Sequence, residues 1–185
     1  MNESKRIGWM GSCLLLAMAL VASDAEAKLQ TEGTSEASFR VWGPAGMQII
    51  GRTPDLTVSE EAGHVKIDVS LARLTTGIDL RDHHMRDRYL EVGKFPTAEL
   101  IIDRKTLRLA GDASADAPAT LMLHGQSRTV TVHYTSHASG SVFQVYGTVH
   151  LDMTDYGIEQ PSYLGVKVKP EVDVTVHFDA SDAEH

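Results

Sequence analysis

The chain has 185 residues, 42% apolar and 23% charged, with a formal net charge of −8. That suffices for one domain with a real core, and the acidic balance argues against the basic face that a nucleic acid or a polybasic lipid-headgroup site requires. The single cysteine, Cys13, excludes a disulfide framework and a multi-cysteine zinc site.

The first 27 residues have the order of a signal peptide. Lys5 and Arg6 precede an uncharged run from Ile7 to Ala22, and Ala25-Glu26-Ala27 supplies small residues at both positions of an A-x-A cleavage site. The run is shorter than the roughly 20 residues a transmembrane helix needs. A lipid-attachment cysteine follows the apolar run, whereas Cys13 stands near its start. The expectation is a periplasmic or secreted protein beginning at Lys28, not a membrane-spanning one. The 158 residues that remain contain no Cys and no Asn, so neither thiol chemistry nor N-glycosylation applies to them.

Residues 28–36 are polar and are expected to form a flexible lead-in, and 181–185 a tail. Between them, 37–180 forms one domain with a period of two. Ala37, Phe39 and Val41 alternate with polar neighbours. So do Val65, Ile67, Val69 and Leu71, then Ala98, Leu100 and Ile102, and the pattern recurs to Val172, Val174, Val176 and Phe178. Each run predicts a half-buried antiparallel strand. About eight strands follow, at 37–42, 47–58, 64–72, 97–109, 119–125, 128–136, 141–153 and 171–179. Pro54 marks a bulge or an edge in the second. The short, turn-like links make an up-and-down meander. Closing it into an antiparallel barrel removes the long open edges, and eight strands leave room for one small ligand.

Asp79 to Leu90 breaks the alternation and predicts a short helix, with Asp79 capping its first turn and Asp82 favouring its positive end. Leu80, His84 and Tyr89 are expected to face the barrel, and Asp87 and Arg88 the solvent. A second irregular connection runs from Thr154 to Pro170. Long connections in compact domains are often functional.

At this point the sequence resembles a known family. Thr76-Gly-Ile-Asp-Leu-Arg-Asp-His-His-Met-Arg86, followed by Tyr89-Leu-Glu-Val92 and Lys94-Phe-Pro96, is similar to the T-G-N-x-x-R-D-x-H-L-R and F-F-D-V-x-K-Y-P segments of the YceI-like family. Leu121–Gly125 with Thr129–Val132, Asp155–Ile158 and Gly165–Val168 resemble further segments of it. Ile78 stands where Asn is usual, His83 where an acid is usual, and Thr34–Ser38 in place of a D-P-x-H-S segment. The resemblance implies a lipocalin-like barrel and an exported protein that binds an isoprenoid or other lipid-like chain. It also marks Arg81, His84 and Arg86 as polar candidates for a ligand headgroup or the barrel rim.

Other chemistry has less support. His83-His84-Met85 offers imidazole and thioether ligands for copper or zinc, which makes a metal-binding or redox-accessory role the alternative. Adjacent helical residues point about 100° apart, however, and rarely share one ion. His124, His133, His150 and His177 occupy polar strand positions and are expected in solvent. No nucleophile elbow, Gly-rich phosphate loop or H-E-x-x-H motif is present, so no catalytic residue is assigned and the chain reads as non-enzymatic. The apolar candidates sit at strand ends and in the two long connections: Trp42, Met47, Ile49, Leu74, Leu80, Met85, Tyr89, Phe95, Phe143, Met153 and Tyr156. The expected ligand is an isoprenoid, quinone or fatty chain, with no other cofactor and no nucleic acid. An exposed apolar mouth is also compatible with a homodimer.

Overall fold

The computed structural model describes residues 28–109, 111–163 and 165–183. The expected signal peptide, 1–27, lies outside the described residues. Nine strands form one antiparallel sheet. They are β1 (Lys28–Trp42), β2 (Gln48–Thr53), β3 (Leu56–Glu61), β4 (His64–Ser70), β5 (Thr97–Asp103), β6 (Ala113–Leu123), β7 (Gln126–Ser139), β8 (Val142–Asp152) and, last in the chain, β11 (Glu171–Ala183). Except for β2 and β3, which each pair with β1 and not with one another, neighbours in this sheet pair in succession, and β11 pairs back onto β1, which closes the barrel. β9 (Ser162–Tyr163) and β10 (Val166–Lys167) make a small separate hairpin.

The barrel is eight-stranded because β2 and β3 together occupy one position. β2 pairs with the second half of β1, at Ala37–Trp42, and β3 meets its first half at Gln30. The expected single strand 47–58 is broken at Pro54, which has no N–H to give the ladder. The expected lead-in 28–36 is instead the first part of β1. Lys28 to Glu32 pair with Ala183 to Asp179, and a bulge between Glu32 and Ser35 absorbs the irregular Gly33-Thr34. Its alternation is sparse because Leu29 is its only large apolar side chain, buried to 1% exposure. The same pairing extends β11 into the expected tail.

Inward positions carry the core: Val58, Val65, Ile67, Leu100, Ile102, Val132, Tyr134, Val145 and Phe178. At the base of the barrel the links 62–63 and 140–141 are tight, and only 104–112 is long. His124 and Gly125, both at positive φ, join β6 to β7 in a two-residue hairpin. Every other long connection gathers at the end of the barrel that carries this hairpin, opposite the base: 43–47, 71–96 and 153–170.

The helix α1 (Asp79–His84) lies in the second of these and continues as a π-helical turn, Met85–Tyr89. Ile78, not Asp79, holds the capping position, and it offers no side-chain hydrogen bond. The buried residues of the helix are Asp82 and Met85, three apart on one face. Met85 is buried against Leu71 and Leu74, whereas Leu80, expected to face the barrel, is 68% exposed. Asp87 and Arg88 are exposed, as expected.

Candidate functional site

The barrel encloses one elongated cavity of about 880 Å³, within the range of small-molecule sites. Its wall is almost wholly apolar and extends from Leu29, Leu109 and Tyr134 near the base to Met47, Ile78 and Leu80 at the helix end. Small inward residues leave the space. Gly147 stands between Tyr134 and Val176 in register, and Ala37 lies beside Val176. At the base, the Tyr134 hydroxyl accepts the Arg108 N–H at 2.7 Å, which fastens the 104–112 connection under the cavity.

The helix is held at the opposite end by a buried carboxylate. Asp82 is 4% exposed. Its Oδ2 accepts from the Thr75 hydroxyl at 2.5 Å, and its Oδ1 accepts from the Thr76 N–H at 2.7 Å and from the Thr76 hydroxyl. Burial by itself raises the Asp82 pKa, but these hydrogen bonds and the nearby Arg86 charge outweigh it and hold the carboxyl below its ordinary value. Thr75 is in turn bridged to Arg52 of β2 by two main-chain hydrogen bonds, at 2.8 and 3.0 Å. Arg81 donates Nε to the Thr76 hydroxyl at 2.7 Å and Nη2 to the Thr76 carbonyl at 2.9 Å. Arg86 donates to the Leu74 carbonyl at 3.1 Å. The Thr-Gly-x-x-x-Arg-Asp segment is thus first a knot that fixes the helix over the opening.

Of the residues singled out from sequence, Met47, Ile49, Leu74, Leu80, Met85, Tyr89 and Met153 line the cavity, and Arg81 and His84 line it at the helix end. The other five do not. Trp42 follows the inward Val41, so the strand alternation turns it to the outer face, and its carbonyl accepts the Lys169 N–H. Phe95 packs on the His124 ring, with centroids 4.6 Å apart, and covers Gly125, where a Cβ would stand 2.7 Å from the Phe95 ring. Phe143 pairs with Ala138 and Ala180 near the base, below the cavity. Tyr156 is 2% exposed and packs among Leu151, Ile158 and Val168, and burial raises its pKa. Arg86 is tied to the main chain.

His83, His84 and Met85 do not converge. His83 pairs with Asp87 at 3.0 Å on the outer side of the helix, His84 lines the cavity, and Met85 is buried in the core. Nor is His124 in solvent. Its side chain is 11% exposed, Nδ1 meets the Tyr156 carbonyl at 3.0 Å, and Nε2 lies 3.2 Å from Glu91. Among the described residues, no group of three or more His, Cys, Asp or Glu side chains is placed to hold a metal ion.

Sequence reasoning missed the deeper wall: Phe39, Thr53, Gly147, Tyr134 and Phe178. The period-two pattern assigns Phe39 and Phe178 to inward positions. Nothing in it separates a wall that encloses space from one that fills it.

The same architecture occurs in known proteins. The UPF0312 protein of Pseudomonas savastanoi pv. phaseolicola is 28% identical over 108 residues, and that of Pseudomonas putida is 28% identical over 110 residues. Each match covers 55% of both proteins, so the chain spans about half the length of the curated relatives it matches. Among solved structures, a polyisoprenoid binding domain from Saccharophagus degradans superposes with a TM-score of 0.72 at 20% identity, covering 84% of this chain and 98% of that one. BcnA of Burkholderia cenocepacia gives 0.67 at 15% identity, covering 80% and 96%. At those identities the likeness is one of fold. The family model of the YceI-like domain matches residues 27–180, and the chain belongs to that family.

Proposed function

We propose that the protein is an exported, non-enzymatic carrier of a lipid-like molecule, with an isoprenoid, quinone or fatty chain held inside the barrel. The observation that supports this reading is the 880 Å³ cavity with its apolar wall. Such a wall offers a polar substrate few partners. An apolar chain gains about 0.8 kcal/mol for each methylene removed from water. Roughly ten buried methylenes give a gross gain near 8 kcal/mol, ahead of the association and ordering costs. That suffices for binding without a specific hydrogen bond in the barrel. A polar headgroup would stay at the helix end beside Arg81 and His84, the two polar candidates that line the cavity. The description of the Saccharophagus degradans neighbour as a polyisoprenoid binding domain favours an isoprenoid within this ligand class. The signal-peptide order of residues 1–27 supports export.

The test is solvent extraction and mass spectrometry of protein purified gently from its own host. A co-purifying isoprenoid, quinone or fatty chain is expected. If none is recovered, and long-chain probes fail to bind at micromolar concentration, the carrier reading falls. N-terminal sequencing of the released protein tests export, with Lys28 as the expected first residue.

A further inference from the structure

Seven large apolar side chains are exposed among the described residues, and three of them also border the cavity at its helix end. Met47 is 53% exposed, Ile78 53% and Leu80 68%, and all three also line the cavity. They come from two separate connections, 43–47 and 71–96, that converge at the helix end of the barrel. The exposed rim is therefore continuous with the apolar interior. A monomer facing only water gains nothing from such an arrangement, since each of these side chains is solvated at a cost.

The charges tell the two ends of the barrel apart. The three connections at the helix end, 43–47, 71–96 and 153–170, hold seven Lys and Arg against six Asp and Glu. The remaining described residues hold eight against fifteen. An anionic surface thus repels the base and the walls, and the near-neutral helix end is the face it accepts. Arg81 also borders the cavity at this end, and its Nη1, beyond the Nε and Nη2 bonded to Thr76, is the group left to meet a phosphate while the rim enters the acyl boundary.

We infer that the rim of Met47, Ile78 and Leu80 is a docking surface for a lipid bilayer, through which the cavity loads and unloads without its ligand crossing water. This rests on the carrier reading for its purpose, but the contact is measurable by itself. Shallow apolar insertion of this kind scales with the apolar area that enters the interface.

The experiment is flotation of the protein with vesicles of equimolar phosphatidylcholine and phosphatidylglycerol. Every variant carries the same N-terminus, so differences among variants report the rim. Wild-type protein is expected to float. Replacing all three residues by serine (Met47→Ser, Ile78→Ser, Leu80→Ser) is expected to lower the bound fraction about tenfold or more. Leu80→Ser alone, at the most exposed of the three, is expected to lower it severalfold with the fold intact. Met122→Ser, at an exposed apolar residue of the outer wall, is expected to change nothing. The inference fails if the wild type does not float, or if the triple variant floats equally well. It also fails if the triple variant instead converts a wild-type dimer to monomer without any vesicle binding. A fluorescent fatty acid titrated without vesicles reports the carrier reading separately. Probe binding without flotation overturns the docking surface alone, and flotation without probe binding supports docking and overturns the carrier.

Discussion

The main-chain N–H of Thr76 donates to Asp82 Oδ1 at 2.7 Å. The contact reaches back across the start of the helix, so the segment that leaves the barrel is held by a residue of the helix it enters. With the hydroxyls of Thr75 and Thr76 on the same carboxylate, one buried charge meets three donors. Asp82→Ala leaves those donors unpaired in a dry site. The expected loss is about 2–3 kcal/mol of unfolding free energy, read from a shift in denaturant midpoint at unchanged slope.

The same carboxylate gives an acid limb. Its folded pKa lies below the ordinary 3.8, so the folded state favours the charged form. The stability it contributes is fully present above about pH 5, and is lost as pH falls below the unfolded value and through the lowered folded one. The stability gap between wild type and Asp82→Asn is therefore expected to hold near neutral pH and to narrow below pH 3.8. A gap that stays constant to the onset of acid unfolding would show that Asp82 titrates alike in both states.

Met85 and Leu80 should respond in opposite ways. Met85 is 9% exposed and packs with Leu71 and Leu74, so Met85→Ala is expected to cost about 2–4 kcal/mol. Leu80 stands in solvent, and Leu80→Asp is expected to change stability by no more than about 0.5 kcal/mol, as at other surface sites. Thermal or denaturant unfolding of the two variants side by side checks the helix orientation. A large loss in Leu80→Asp would mean that the helix seats its first turn against the barrel.

Leu80 also shows where the sequence stops being legible. Alternation located the strands because Val65-x-Ile67-x-Val69 and Val172-x-Val174-x-Val176 depend only on which neighbours are apolar. A short helix at 79–90 was legible for the same reason. The buried face of that helix was not. It is set by Asp82 and Met85, three residues apart, with Asp82 drawn inward by the Thr75 and Thr76 donors, and the apolar pattern carries no mark of a buried carboxylate. The first half of β1 escaped notice because its ladder is specified by β11, more than a hundred residues away, and not by its own composition. The strand-end candidates divided by parity. Ile49 lines the cavity, whereas Trp42, next to the inward Val41, faces outward, and Phe143 lies at the wrong end of the barrel. The Thr-Gly-x-x-x-Arg-Asp motif was recognisable, but its use of Thr75 and Thr76 as donors to Asp82 appears only once the chain is folded.

Tyr134 closes the base by a contact that a single atom tests. Its neighbours in register are Ala115 and Gly147, which leave its ring room to reach the connection beneath. Its hydroxyl then accepts the Arg108 N–H at 2.7 Å. Tyr134→Phe keeps the ring and removes only the acceptor. The expected loss is about 1–3 kcal/mol, with retained binding of a long-chain probe. Unchanged stability would mean that water replaces the hydroxyl and that the base is wetter than its apolar lining suggests.

Gly147 offers the sharpest test of the cavity as a binding site. It lines the interior, and a Cβ there would stand 3.0 Å from Val176 Cγ2 and 3.6 Å from Val132 Cγ1. Those neighbours are methyl groups facing open space, so they can yield a few tenths of an ångström. Gly147→Leu therefore extends into the cavity, at an overpacking cost of about 1–3 kcal/mol. If the leucine displaces even two methylenes of a bound chain, about 1.6 kcal/mol of burial is lost, which is roughly a fifteenfold weaker dissociation constant. Gly147→Ala, which adds one methyl, should give a smaller loss of the same sign. Titration of a fluorescent fatty acid into the two variants and the wild type, with unfolding curves run in parallel, gives both quantities. Affinity that falls in the order Gly, Ala, Leu while the fold persists places the chain at the centre of the barrel. Affinity indifferent to the leucine would place it elsewhere, and the carrier reading would lose the observation that supports it.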